Sequence, residues 1–94
     1  MKNFDWSELK DAQLKAERGI GFEEIVAAIE SGNILEDKEH HNKTRYPNQR
    51  IWVVKMRNYA YVVPYVEDDT KYLLKTIIPS RDATKKHLKK GNES

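Results

Sequence analysis

The stretch from Lys71 to Lys90 constrains the fold most, because it joins a strand pattern to a helix pattern through a proline. Its first half places bulky side chains on both faces, which is typical of a strand inside a sheet. Pro79 has no N–H to donate and should end that strand. Ser80 is a good N-cap, so a helix is predicted from Arg81 to Lys90. Arg81 then lies beside free backbone N–H groups that suit a phosphate, although an ordinary capped helix with a solvated basic tail fits equally well.

Length and composition bound the rest of the fold. The chain has 94 residues, of which 38% are hydrophobic and 34% charged, so a small core and a heavily charged surface are expected. One domain should span residues 1–91, with residues 92–94 as a frayed end. The absence of cysteine excludes disulfides and thiolate metal sites, and no apolar run has the length of a membrane span. These features predict a cytoplasmic protein with no cofactor and no membrane contact.

Charge is divided unevenly along the chain. Residues 1–39 hold ten acids and five bases, about −5, whereas residues 40–94 hold five acids and twelve bases, about +7. A basic half of this kind favours an anionic partner, and nucleic acid is the first candidate. The alternative is that the lysines only keep the protein soluble.

Two helices are predicted in the acidic half. The first should run from a capping box of Asp5 and Glu8 to about Arg18, with Gly19 as its left-handed stop. Its apolar positions would be Trp6, Leu9, Ala12 and Ala16. The second follows the i, i+3, i+4, i+7 template and should end at Gly32. Its apolar positions are Phe22, Ile25, Val26 and Ile29.

The remaining pattern predicts an antiparallel sheet of three to four strands. The strands would be Ile34–Lys38, Arg50–Arg57, Ala60–Val66 and Lys71–Ile78. A tight turn at Asn58, a polar loop over Glu39–Gln49 and a bulge or an unpaired N–H at Pro64 complete this part of the prediction. The fold class is therefore α+β, with two N-terminal helices, the antiparallel sheet and a C-terminal basic helix, the helices lying on one side.

The chemistry open to this chain is limited. Neither nucleotide-binding fingerprint is present, no serine has the neighbours of an activated nucleophile, and His40 and His41 are adjacent and should point apart. Metal-free RNA cleavage remains possible, because it needs only an acid–base pair, which histidine supplies, and a cation, which arginine supplies.

Basic and aromatic residues are the candidates for such a site. Catalysis is assigned to Arg81, His40, Arg50 and Lys75, and RNA binding to His41, Arg45, Lys85, Lys86 and Lys89. Tyr46 and Tyr65 are candidate stacking surfaces. The alternatives are structural: Arg50 would pair with Asp37 or Glu67, Tyr65 would belong to the core, and the lysines would form the solvent-exposed face of the last helix.

Both ends of the chain resemble the BrnT-type toxins of bacteria, and the similarity runs in order over nearly all 94 residues. The N-terminal match consists of Phe4, Trp6, Lys15, Gly19, Ile20, Phe22, Glu23 and Glu24. The C-terminal match is the strand, Ser-Arg corner and basic helix at 77–84. Two departures are Glu17-Arg18-Gly19 where the family has Lys-His-Gly, and Pro-Ser-Arg where it has Ser-Ala-Arg.

The resemblance implies a RelE-like fold and a toxin of a type II toxin–antitoxin pair that arrests growth by cleaving RNA. It also implies a cognate antitoxin, typically a ribbon-helix-helix DNA-binding protein, with a dimer as one arrangement of the complex. A non-catalytic RNA-binding or protein-interaction module is the alternative function.

Overall fold

The computed structural model describes residues 2–88. Its elements, in chain order, are β1 (Asn3–Trp6), α1 (Glu8–Arg18), α2 (Phe22–Glu30), β2 (Ile34–Glu39), β3 (Gln49–Met56), β4 (Tyr59–Glu67), β5 (Lys71–Leu74), β6 (Ile78–Pro79) and α3 (Arg81–Leu88). The α+β class is confirmed. Lys89, the predicted helix end at Lys90 and the predicted frayed residues 92–94 lie outside the described part. Within that part, no helix combines the length and hydrophobicity needed to cross a bilayer.

The predicted antiparallel sheet of three to four strands is wrong, because the sheet is mixed and has six strands. Its order is β1-β5-β4-β3-β2, and β6 pairs with β4. β1 runs parallel to β5, with Asn3 opposite Lys71 and Trp6 opposite Leu74. Asp5 therefore lies in a strand rather than in a capping box, and Ser7 caps α1 by accepting the Lys10 N–H at 3.2 Å.

The predicted strand Lys71–Ile78 is broken in two. β5 leaves the sheet after Leu74, where the Lys75 N–H donates to the Pro64 carbonyl at 2.9 Å. The chain returns as β6, which includes Pro79 and pairs with a different part of β4. As predicted, the strand ends at Pro79, which is the last residue of β6, and Ser80 then precedes α3.

The bulge predicted at Pro64 is also absent from the β3–β4 ladder. Pro64 pairs opposite Ile51 in a register that continues from Gln49 to Met56. The irregularity in the described sheet lies instead in β2, between Ile34 and Glu36. The turn at Asn58 is confirmed, with Arg57 and Asn58 both at positive φ (56° and 59°), as a two-residue hairpin turn requires.

The helices lie on both faces of the sheet, not on one side as predicted. α1 and α2 cover one face, where the core contains Phe22, Ile25, Trp52, Val54, Val63, Tyr65 and Leu74. α3 covers the other face, over a smaller core of Ile51, Val53 and Ala60 with Val62 and Ala83 at its edge. Both faces of β3 and β4 are apolar, so each needs a helix to exclude water from it.

The apolar stripe predicted for α1 is wrong, whereas the one for α2 is confirmed. In α1 the buried side chains are Asp11 and Leu14, and Leu9 is 72% exposed. Asp11 accepts the Phe22 N–H at 2.8 Å and pairs with Lys15 at 2.9 Å; the Phe22 N–H, more than Lys15, lowers the pKa of Asp11. A carboxylate thus caps α2 from the neighbouring helix, since Gly21 has no side chain to do so.

Candidate nucleic-acid interface

A cleft of about 490 Å³ opens on the face of the sheet that α3 covers, beside the start of that helix. It is lined by Lys38, Glu39, His41, Ile51, Val62, Ser80 and Asp82. The floor is apolar and belongs to the smaller core, whereas the walls carry two carboxylates, one ammonium and one imidazole. We call this space the α3 cleft. Its mixture of acids and bases suits proton transfer better than simple anion capture.

The start of α3 is fixed to β4 by hydrogen bonds. The Ser80 N–H donates to the Ala60 carbonyl at 2.9 Å, and Ser80 Oγ accepts the Ala83 N–H at 3.1 Å. Thr84 Oγ1 accepts the Ala60 N–H at 2.9 Å and donates to the Ser80 carbonyl at 2.7 Å. Ser80 is therefore the predicted N-cap. Arg81, the first residue of α3, is exposed between two residues that line the α3 cleft.

A carboxylate on β2 holds the other end of α3. Glu36 Oε2 lies 2.5 Å from His87 Nε2 and 3.3 Å from Lys86 Nζ, and Glu36 Oε1 lies 3.6 Å from Lys38 Nζ. The hydrogen bond from His87, with a smaller contribution from the lysines, lowers the pKa of Glu36 to about 2. Lys86, predicted to bind RNA, is thus engaged by Glu36, while Lys85 is exposed.

This contact should make stability depend on pH in the acid range. Because the folded-state pKa of Glu36 is about 2 and its ordinary value is 4.5, the stabilisation is complete above pH 4.5 and is lost as the pH falls towards 2. Urea unfolding at pH 6 and pH 3 should show the parent losing about 1–2 kcal/mol more than Glu36→Gln. Glu30→Gln, at an exposed position on α2, is the matched control and should behave like the parent. Equal losses in the parent and Glu36→Gln would contradict this prediction.

The loop between β2 and β3 carries a group of stacked side chains. The His40 ring lies 4.7 Å from that of His41 and 4.6 Å from that of Tyr46, and Arg45 Cζ lies 5.5 Å from the Tyr46 ring centre. His40 Nδ1 accepts the Asn42 N–H at 3.0 Å, which fixes the ring. The expectation that the two histidines point apart is wrong, because β2 ends at Glu39 and the backbone is no longer extended. We call His41, His40, Tyr46 and Arg45 the loop stack.

Arg50 lies on the opposite face of the sheet from the α3 cleft. Its guanidinium is 3.1 Å from Asp37 Oδ1 and 3.3 Å from the Tyr65 hydroxyl, which itself donates to Asp37 at 2.8 Å. Pairing of Arg50 with Asp37, the structural alternative, is therefore what the fold shows. Tyr65 is 1% exposed and stacks on Trp52 at 3.8 Å, so it is core and not a ligand surface. Burial, followed by the hydrogen bond to Asp37, raises the pKa of Tyr65.

The fold brings together only part of the predicted site. His41 lines the α3 cleft and Arg81 borders it, whereas His40 lies behind His41 in the loop stack. Lys75 is exposed just beyond β5 and does not line the cleft. The cleft also contains Lys38 and Glu39, which were not among the predicted site residues. The alternation in β2, which pairs Lys38 with Ile51, is the signal that would have placed Lys38 on this face.

The family model of a domain of unknown function, DUF4258, matches residues 12–79, which is more than two thirds of the chain. The matched region includes the loop stack and the strands of the α3 cleft, and it ends just before α3. No curated protein matches the sequence significantly. No solved structure does either.

Proposed function

This chain belongs to the DUF4258 family, and we propose that it is a metal-independent endoribonuclease, the toxin of a type II toxin–antitoxin pair. The observation that carries the proposal is the α3 cleft, where an imidazole, an ammonium and two carboxylates surround one space bordered by an exposed arginine. The resemblance of both chain ends to BrnT-type toxins supports the same activity.

The residues at the cleft can be given roles in cleavage by the RNA 2′-hydroxyl. His41 takes the 2′-OH proton as the oxygen attacks phosphorus, and Arg81 stabilises the charge on the phosphorane. The P–O5′ bond then breaks, and the Lys38 ammonium protonates the leaving oxygen to give a 2′,3′-cyclic phosphate and a 5′-hydroxyl. His40 supports the His41 ring by stacking, which replaces the direct role that the sequence suggested for it.

The test of this proposal is expression with and without a cognate antitoxin, for which a ribbon-helix-helix DNA-binding protein is the proposed type. Induction of the chain alone should stop growth and degrade total RNA, and co-expression of the open reading frame beside its gene should restore both. Growth arrest with intact RNA would point to a target other than RNA. Normal growth and intact RNA under full expression would reject the toxin assignment.

The loop stack favours a second candidate function, a non-catalytic RNA-binding module. Its aromatic rings and guanidinium suit base stacking without any chemistry at phosphorus. Cleavage of a bound RNA strand distinguishes the two candidates. The module would bind RNA in a salt-dependent way, yet it would leave the strand uncut even at a stoichiometric amount of protein.

Either function predicts that RNA affinity falls as salt rises. Lys38 and Lys85 are exposed on the α3 side of the sheet, and each phosphate contact on a single strand contributes about −0.7 to the slope of log affinity against log salt. Lys38→Gln with Lys85→Gln should therefore flatten the slope by about 1.4. Lys10→Gln, on α1 across the sheet, is the matched control. A flat slope in the parent protein would contradict binding through phosphates.

A further inference from the structure

We infer that the His41 end of the loop stack binds one unpaired nucleobase of the RNA substrate, an inference that rests on the proposed function. His41 is exposed, lines the mouth of the α3 cleft and stacks on a single ring among residues 2–88. A ring has two faces, and the ligand base is assigned to the second face of His41, on which no aromatic ring of residues 2–88 stacks. A base stacked there extends the series of rings that continues through His40 and Tyr46.

The loop stack does not belong to either hydrophobic core. Its members are exposed or half-buried, and neither core cluster includes them. Tyr46 is fixed within the loop by backbone hydrogen bonds to Asn42 and Gln49, and Asn42 fixes the His40 ring. The rings are therefore held in place before a ligand arrives, which reduces the entropy lost on binding. The proposed base completes a surface that is already formed.

The stack selects single strands over duplexes. A paired base already has neighbours on both faces, whereas an unpaired base can leave its strand and stack on an aromatic side chain. Stacking tolerates every base, because each has a π face. A nucleotide bound this way has its phosphate beside the α3 cleft, which His41 lines together with Ser80 and Asp82 at the start of α3. The substrate class is therefore single-stranded RNA with little preference at this position.

The experiment uses a short 2′-O-methyl RNA with 2-aminopurine at one position, which has no 2′-OH to attack and so remains intact. Stacking quenches 2-aminopurine, so the parent protein should lower its fluorescence on binding. His41→Ala should abolish the quench and weaken binding by about 5- to 100-fold. His41→Phe keeps a stacking ring without ring nitrogens, so it should preserve quench and affinity yet lose cleavage of ordinary RNA. The same strand in a duplex should bind without a quench.

The outcomes separate this inference from the proposed function. If His41→Ala binds and quenches like the parent, or if the duplex is quenched equally, the stacking site is rejected while cleavage by the parent still supports the enzyme. If His41→Phe cleaves normally, the acid–base role of His41 fails and the stacking site stands. If the parent binds no RNA, both fail. Thermal melting of each variant shows whether a loss comes from unfolding.

Discussion

Arg81→Lys is expected to slow single-turnover cleavage of a defined RNA by about 100-fold, the usual effect of removing one preorganised charge-stabilising donor. Affinity for the RNA should change by less than about threefold, because one positive charge replaces another. Lysine cannot reproduce the arginine fork, which offers two parallel N–H donors to two phosphate oxygens. The loss should therefore appear in the rate of the chemical step.

The fold gives physical reasons to place this role at Arg81. The first turn of α3 is held to β4 through Ser80 and Thr84, so the backbone beneath Arg81 is fixed. Asp37, an acid that could have neutralised an arginine, pairs with Arg50 and not with Arg81. Arg81 makes no ion pair with any residue of the described range 2–88, so a lysine in its place should not unfold the protein.

Arg57→Lys is the matched control for this experiment. Arg57 is an exposed arginine that pairs with Glu24 on the opposite face of the sheet, so its replacement should leave cleavage near the parent rate. Melting temperatures of both variants must accompany the kinetics. Near-parental cleavage by Arg81→Lys, or a loss that unfolding fully accounts for, would remove Arg81 from the site.

The elements that sequence predicts correctly depend on neighbouring residues. α2 follows from apolar spacing within nine residues, and its buried positions include Phe22, Ile25 and Ile29. The stop at Gly19, with φ of 69°, and the hairpin turn at Arg57-Asn58 follow from backbone preferences of single residues. Each of these features is specified before the chain folds, so a local pattern is sufficient to find it.

The errors in the predicted sheet topology involve partners distant in sequence. β1 has four residues and becomes a strand only because β5, some 68 residues later, pairs with it. The break after Leu74 exists because Pro64 and Ala60 on β4 accept hydrogen bonds from two separate parts of the returning chain. Packing against β4 likewise decides which face of the sheet α3 covers. Hydrophobic alternation along the strands cannot predict that face, because both faces are apolar.

The candidate site likewise contains residues that a local pattern predicts and residues that only long-range pairing can place. Arg81 and His41 could be proposed because each stands beside a local signal, a helix cap or a polar loop. Arg50 carries the same charge but is drawn to Asp37 and Tyr65 on the far face, which only the pairing of β2, β3 and β4 determines. Lys38 reaches the cleft through its register opposite Ile51. Residue type thus predicts what a side chain can do, and the sheet decides where it acts.

Ile25→Ala is expected to destabilise the protein by about 2–5 kcal/mol, the sum of lost transfer free energy and the cavity that remains. Ile25 is fully buried, and it lies in the larger core with Trp52, Val54, Val63 and Leu74. The apolar spacing of α2 correctly predicted that Ile25 is buried. Val53 and Val62, on the other face of the same strands, belong instead to the core beneath α3.

The measurement is the free energy of unfolding in urea, compared with Leu9→Ala as a matched control. Leu9 is also a helix residue that loses three carbons on mutation to alanine, yet it is 72% exposed and should cost less than about 0.5 kcal/mol. A chain of this size has only about 5–15 kcal/mol of stability. Ile25→Ala should therefore substantially lower the urea concentration at the midpoint of unfolding. Ile25 and Leu9 differ most in burial. If the free energies of unfolding of the two variants differ by less than about 0.5 kcal/mol, the Ile25 side chain does not contribute to the core between α2 and the sheet.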